Sequence, residues 1–192
     1  MYTFIHPTKT GGTALARYFR AFYPNQIQCE GGCHRNKCTA DNKPIIIVRD
    51  VRSRFISMYK YWKRGARDTR ERDAVFVREN ENVTILDFIH LLKKNKRALC
   101  TGFTWDVHFD NISKWIGKTD YKHIVVVRYK DNLNDSVHKL LAALDIPDRD
   151  ITLHRVNVSK SANDEEKRLF ESPEVSEFIT EYFKDDIELI NM

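Results

Sequence analysis

The sequence has no apolar stretch long enough to cross a membrane as a helix. No window of its 192 residues approaches 18 consecutive apolar residues, which argues against a membrane-spanning helix. Met1 leads directly into a predicted strand, so we expect no signal peptide. Internal repeats and low-complexity segments are also lacking.

Two common nucleotide-binding signatures are missing as well. The triphosphate loop G-x-x-x-x-G-K-[ST] places its lysine after the last glycine, whereas Lys9 precedes Gly11 and Gly12 and has no glycine upstream. The dinucleotide fingerprint G-x-G-x-x-G does not occur either. A divergent nucleotide kinase is therefore the weaker alternative, since Asp50 is the one obvious candidate for a magnesium-binding carboxylate after a strand.

The four cysteines include no C-x-x-C pair. Cys29, Cys33 and Cys38 cluster around His34, and three interpretations stay open: a zinc site, a disulfide within the loop, or free thiols. Four ligands this close in sequence would strain a tetrahedral site, so we expect no bound metal.

Composition is that of an ordinary globular protein, with 42% hydrophobic and 31% charged residues, and predicts one domain over residues 1–192. Much of the net charge of +5 lies in residues 60–72, which contain six basic residues and two acidic ones. This run is either a solvated helix end or a patch for an anionic acceptor or phosphates. No nucleic-acid-binding signature accompanies it. Residues 64–83 are aperiodic and are predicted to form a mobile insertion.

Apolar periodicity predicts strands that alternate with helices, which indicates an α/β fold with a central parallel sheet flanked by helices. The predicted strands are residues 2–6, 45–48 and 123–128, with a short one near 26–28, and the predicted helices are residues 14–22, one after Thr84 with Asp87 in its cap, one over 133–144, and a last one from Pro173. Open sheets of this class bind ligands at the carboxyl ends of their strands.

Two segments at such strand ends are suited to phosphate. Residues 7–13 form a glycine loop with Lys9 between a strand and a helix, where glycines allow close approach and the first helical amides face the ligand. Arg49 ends the second strand, and Ser57 follows eight residues later, two helical turns on and facing roughly the same way.

The order Lys9-Thr10-Gly11-Gly12-Thr13 resembles the 5′-phosphosulfate loop of sulfotransferases. Arg-Asp-x-x-x-Arg-Phe-x-Ser-x-Tyr from Arg49 onwards resembles the 3′-phosphate motif of their carbohydrate-modifying members. The resemblance implies the sulfotransferase fold, itself related to nucleotide kinases, and 3′-phosphoadenosine 5′-phosphosulfate as donor. It also implies transfer to a hydroxyl, for which a carbohydrate, anionic or neutral, is the expected acceptor. The family's Golgi members carry an N-terminal anchor, so we expect a cytoplasmic protein or a soluble catalytic domain trimmed from an anchored one.

The resemblance assigns roles residue by residue. Lys9 stabilises the leaving phosphate, the backbone of 10–13 and the Thr13 hydroxyl hold the 5′-phosphate, and Arg49 with Ser57 holds the 3′-phosphate. His34 is the expected general base, because a Gly-His pair precedes the second phosphate strand in glycosaminoglycan-type members. His108 is its rival and otherwise contacts the acceptor or is structural.

Further matches lie towards the carboxyl terminus. Ser159 or Lys160, within an Asn-x-Ser motif, is expected to close over the donor. Residues 182–186 match a terminal helix signature expected to be structural. Two departures concern loop geometry: Thr8 stands where the family has proline, and Val51 replaces the proline of Arg-Asp-Pro. A third interpretation, besides transferase and kinase, is a non-catalytic binder of anionic glycan or nucleic acid that keeps the fold.

Overall fold

The computed structural model describes residues 1–29, 43–63, 82–94, 109–116, 125–129, 133–149, 152–153 and 162–191. Its contacts divide the chain into two compact units. The first unit comprises residues 1–50, 111–157 and 189–192, and the second comprises residues 51–110 and 158–188. The expectation of one domain over residues 1–192 stays a prediction.

A parallel sheet forms the centre of the first unit. Its strands are β1 (Tyr2–Ile5), β2 (Ile27–Gln28), β3 (Lys43–Arg49) and β4 (Val125–Tyr129). They are arranged in the order β2-β1-β3-β4. Phe4 of β1 lies opposite Ile45 of β3, and Arg49 lies opposite Tyr129 of β4. The predicted α/β class and parallel sheet are confirmed.

Buried side chains explain why these segments are strands. Residues 44–48 are buried throughout, as expected of a central parallel strand covered on both faces. Because β1 and β3 run parallel, their carboxyl ends meet at the same edge of the sheet. Residues 6–11, which follow β1, and Arg49, the last residue of β3, are therefore neighbours.

Three helices complete the first unit in the described part of the chain. They are α1 (Gly12–Phe22), α4 (Ser113–Ile116) and α5 (Leu133–Ala143). α1 begins two residues before the predicted start and packs Leu15, Tyr18 and Phe19 inward as expected. α5 buries Val137, Leu140 and Leu141 in the same core as Phe4 and Ile45.

Helices make up the described part of the second unit. They are α2 (Val51–Lys63), α3 (Ile85–Lys94), α6 (Asp164–Phe170), α7 (Pro173–Tyr182) and α8 (Lys184–Asn191), whose last three residues belong to the first unit. Phe55 of α2 is the centre of an aromatic core, with its ring 5.8 Å from Phe88, 5.1 Å from Phe178 and 5.9 Å from Phe183.

The predicted cap of α3 is confirmed in detail. The Thr84 backbone amide donates to Asp87 Oδ2 at 2.9 Å, and the Asp87 amide donates to Thr84 Oγ1 at 3.2 Å. This reciprocal arrangement satisfies two amides at the helix start.

The prediction of one continuous helix after Pro173 is wrong. Phe183, with φ −109° and ψ 29°, ends α7, and α8 begins at Lys184. Phe183 and Asp186 are both fully buried in the second unit. The pattern of apolar residues continued through this break, so periodicity alone did not detect it. Within the described ranges, no helix meets the length and hydropathy of a membrane span.

Candidate active site

The loop between β1 and α1 has an alternating backbone. Lys9 has φ 64° and Gly11 has φ 84°, while Thr10 between them is not in the positive-φ region. Where right-handed and left-handed residues alternate, successive backbone N–H groups can point to one side and form a concave anion site. A positive φ is strained for lysine, and strain of this kind is typical of ligand-binding segments.

The start of α1 adds to this site. Gly11 is the residue that precedes the helix, and because it has no side chain it makes no capping hydrogen bond. The first turn also contains no acidic residue. The helix dipole therefore favours an anion at Gly11 to Thr13.

Thr10 contributes to the loop in a specific way. Its side chain is fully buried, and its hydroxyl donates to the carbonyl of Pro7 at 2.7 Å. The hydroxyl thus closes the loop internally, which leaves the backbone N–H as the part of Thr10 suited to a ligand. Thr13, in contrast, is exposed on the first turn of α1.

Gly12 is required for space. A Cβ atom at this position would lie 2.1 Å from Cβ, 2.6 Å from Cγ and 2.8 Å from Nδ1 of His6. Any side chain there would force the helix start away from the end of β1. His6 was not among the residues predicted for the site, although its place between a strand and the glycine loop was a signal that could have identified it.

Arg49 is brought to the same loop by the parallel sheet. It is half-buried at the end of β3, and its Nη1 donates to the Lys9 carbonyl at 3.4 Å. At this length the bond is weak. Two residues predicted to bind different phosphates of one donor, Lys9 and Arg49, are therefore in contact within the first unit.

Two further arginines of the same motif have structural partners in the second unit. Arg52 donates to the Phe170 carbonyl and to Ser176 Oγ, both at 2.7 Å. Arg54 pairs with Asp186 at 2.8 Å and donates to the Asp110 carbonyl at 2.7 Å. Arg49, in contrast, lies beside the loop of residues 6–11 in the first unit.

Electrostatics reflect this burial. Burial lowers the pKa of Arg54, and the Asp186 carboxylate opposes that shift. Burial also raises the pKa of Tyr182 to about 12, and its hydroxyl donates to the Phe109 carbonyl at 3.2 Å. The Tyr182 hydroxyl is therefore neutral near neutral pH.

The remaining predicted residues are distributed unevenly. Ser57 lies half-buried on α2 in the second unit. His34, His108, Ser159 and Lys160 lie outside the described residues, as do Cys33 and Cys38. Cys29 is half-buried, and burial raises the pKa of its thiol to about 11. In the described ranges, no three His, Cys, Asp or Glu side chains cluster as a metal site would require.

Comparison with known proteins gives one match. The model of the Sulfotransferase family matches residues 13–191, which begin at the last residue of the loop and include Arg49 and Ser57. No curated protein and no solved structure matches the chain.

Proposed function

The chain belongs to the sulfotransferase family, and from this premise we propose that it transfers a sulfuryl group from 3′-phosphoadenosine 5′-phosphosulfate to a carbohydrate hydroxyl. One observation carries the proposal. Arg49, the last residue of β3, donates to the carbonyl of Lys9 in the loop that follows the adjacent parallel strand β1, and the helix after this loop begins behind a glycine. Two cations beside one helix start suit a donor with two separate phosphates.

The loop is proposed to hold the 5′ end of the donor. Alternating backbone at Lys9 and Gly11 supports binding through amides, and the exposed Thr13 can add its hydroxyl. The Lys9 ammonium is proposed to neutralise charge on the leaving phosphate. Stabilising charge that develops in the transition state is a large part of catalysis in reactions of this type.

Arg49 is proposed to hold the 3′-phosphate. A guanidinium offers five N–H donors in a planar fork, and the 3.4 Å bond to the Lys9 carbonyl is weak enough to be exchanged for a phosphate oxygen. Ser57 is proposed as its partner on the strength of its spacing from Arg49.

The chemical step needs a base and an acceptor. We propose that His34 removes the hydroxyl proton while the acceptor oxygen attacks sulfur and the bond from sulfur to the phosphate oxygen breaks. The electron pair leaves with the 5′-phosphate, where Lys9 and the loop amides stabilise it. His108 is proposed to contact the acceptor, and Ser159 or Lys160 to cover the donor. The carbohydrate acceptor rests on the form of the motif from Arg49 to Tyr59.

Thermal denaturation with three ligands tests the proposal. With chelator present, adenosine 3′,5′-bisphosphate should raise Tm by roughly 5–10 °C at about 100 times its dissociation constant. ATP with Mg²⁺ should raise it far less. A larger shift with ATP and Mg²⁺ would indicate the kinase instead, and no shift with either nucleotide would indicate a binder that lacks the activity.

A further inference from the structure

We propose that His6 is a positioning residue for the phosphate loop, and that it sets where α1 begins relative to Lys9. The inference rests on the proposed function of that loop. His6 is the last residue before the loop and is only 6% exposed. A residue this buried can affect ligand binding by fixing the position of the loop rather than by contacting the ligand.

The ring of His6 packs against aromatic side chains. It stacks on Phe4 of β1, with centroids 5.7 Å apart and planes at 22°. Phe4 is in turn met edge-on by Phe19 of α1 at 5.0 Å. The strand and the helix on either side of the loop thus pack on one column of rings that ends at His6.

His6 also contacts the start of α1. The absent Cβ of Gly12 would lie within 2.8 Å of three His6 atoms, Cβ, Cγ and Nδ1. His6 and Gly12 are therefore in direct contact, and the loop Pro7 to Gly11 is closed at both ends. The Thr10 hydroxyl bond to the Pro7 carbonyl fixes its interior.

This closure has a consequence for ligand selectivity. The loop amides bind the 5′-phosphate only when Gly11 and Gly12 keep their distance from the end of β1. Removal of the His6 atoms beyond Cβ takes away atoms that contact Gly12. The start of α1 can then move towards the end of β1, and its backbone amides move with it. Binding of the 5′-phosphate should suffer, whereas adenosine and the 3′-phosphate should be affected little.

Two substitutions separate positioning from general packing. His6→Ala keeps only Cβ of the three atoms under Gly12. His6→Asn keeps atoms equivalent to all three, because its amide occupies the position of Nδ1, but it loses the ring that stacks on Phe4. Both variants should lower Tm, and only His6→Ala should move the amides. Val137→Ala, in the core of the same unit, is the control for destabilisation alone.

Calorimetry with two ligands is the test. For each variant we measure the affinity ratio between adenosine 3′,5′-bisphosphate and adenosine 3′-phosphate, which isolates the 5′-phosphate. The ratio should fall about tenfold in His6→Ala, the loss of a charge-assisted hydrogen bond. It should stay within about threefold of wild type in His6→Asn and in Val137→Ala.

The outcomes separate this inference from its premise. A wild-type ratio near one would overturn the proposed function of the loop, and the role of His6 with it. A wild-type preference that His6→Ala retains would overturn the role of His6 alone. An equal fall in His6→Asn and His6→Ala would reduce His6 to packing. If His6→Ala does not fold, Gly12→Ala, which forces the same contact apart, must show the tenfold fall or the inference is wrong.

Discussion

Arg49 and Arg54 are five residues apart in sequence and have opposite environments. Arg54, in the second unit, is fully buried and bonded to a carboxylate and a backbone carbonyl. Arg49, in the first unit, is half-buried and makes a 3.4 Å bond to the Lys9 carbonyl. A fully buried guanidinium paired with a buried carboxylate cannot be removed without leaving that charge unpaired, whereas a half-buried guanidinium beside a loop of backbone amides can reach a ligand. The same motif therefore supplies both kinds of arginine.

The largest expected effect is on stability, at Arg54. Arg54→Ala leaves the Asp186 carboxylate buried without its cation, which should lower the free energy of unfolding by about 3–5 kcal/mol. Urea denaturation measures this. The double variant Arg54→Met with Asp186→Leu should recover most of the loss, because no buried charge is then unpaired. A loss below about 1 kcal/mol in Arg54→Ala would show that Arg54 and Arg49 differ less than their burial indicates.

Lys9 should show the opposite behaviour, with a loss of activity and no loss of stability. Lys9→Gly and Lys9→Ala should each reduce turnover by roughly 10²–10³-fold, since the cation on the leaving phosphate is lost. Because Lys9 has φ 64°, glycine should be more stable than alanine there by about 1 kcal/mol. Steady-state kinetics and thermal denaturation of both variants check the two expectations. Equal stability of the two would argue against the strained backbone.

Arg49→Ala completes the comparison with Arg54. It should weaken the binding of adenosine 3′,5′-bisphosphate by about 1.5–3 kcal/mol and that of adenosine 5′-phosphate much less, because only the bisphosphate has a 3′-phosphate. Its Tm should stay close to wild type. Calorimetry with both nucleotides decides, and equal losses for both would remove the 3′-phosphate assignment.

The smallest expected effect concerns the cap of α3 in the second unit. The Thr84 hydroxyl, and next its backbone amide, lower the pKa of Asp87. Asp87 therefore stabilises the fold above its ordinary pKa, and this contribution is lost as the pH falls through the lowered value. Thr84→Ala should bring the Asp87 pKa back towards its ordinary value and cost about 0.5–1 kcal/mol near neutral pH. An NMR titration of Asp87 checks the pKa, and an unchanged value in Thr84→Ala would contradict the cap.

Local patterns predicted the elements well, because they depend on neighbouring residues. Patterns within a few neighbouring residues predicted three features: the β-branched strand at 45–48, the apolar face of α3 and the Thr84 cap. The glycine loop was located for the same reason. The contacts that decide roles join distant residues: Arg54 finds Asp186 132 positions away, and no spacing rule connects them. His6 was missed because its partner, Gly12, was interpreted as allowing close approach of a phosphate rather than as a surface packed on the end of β1.

Phosphorus NMR of bound adenosine 3′,5′-bisphosphate tests the central claim most directly, since its two phosphates give separate resonances. If Lys9 faces the 5′-phosphate and Arg49 the 3′-phosphate, Lys9→Ala should shift mainly the first resonance and Arg49→Ala mainly the second. The wild-type protein should perturb both. Variants that shift the same resonance, or a wild-type protein that shifts neither, would contradict the assignment of the two cations to two phosphates of one donor.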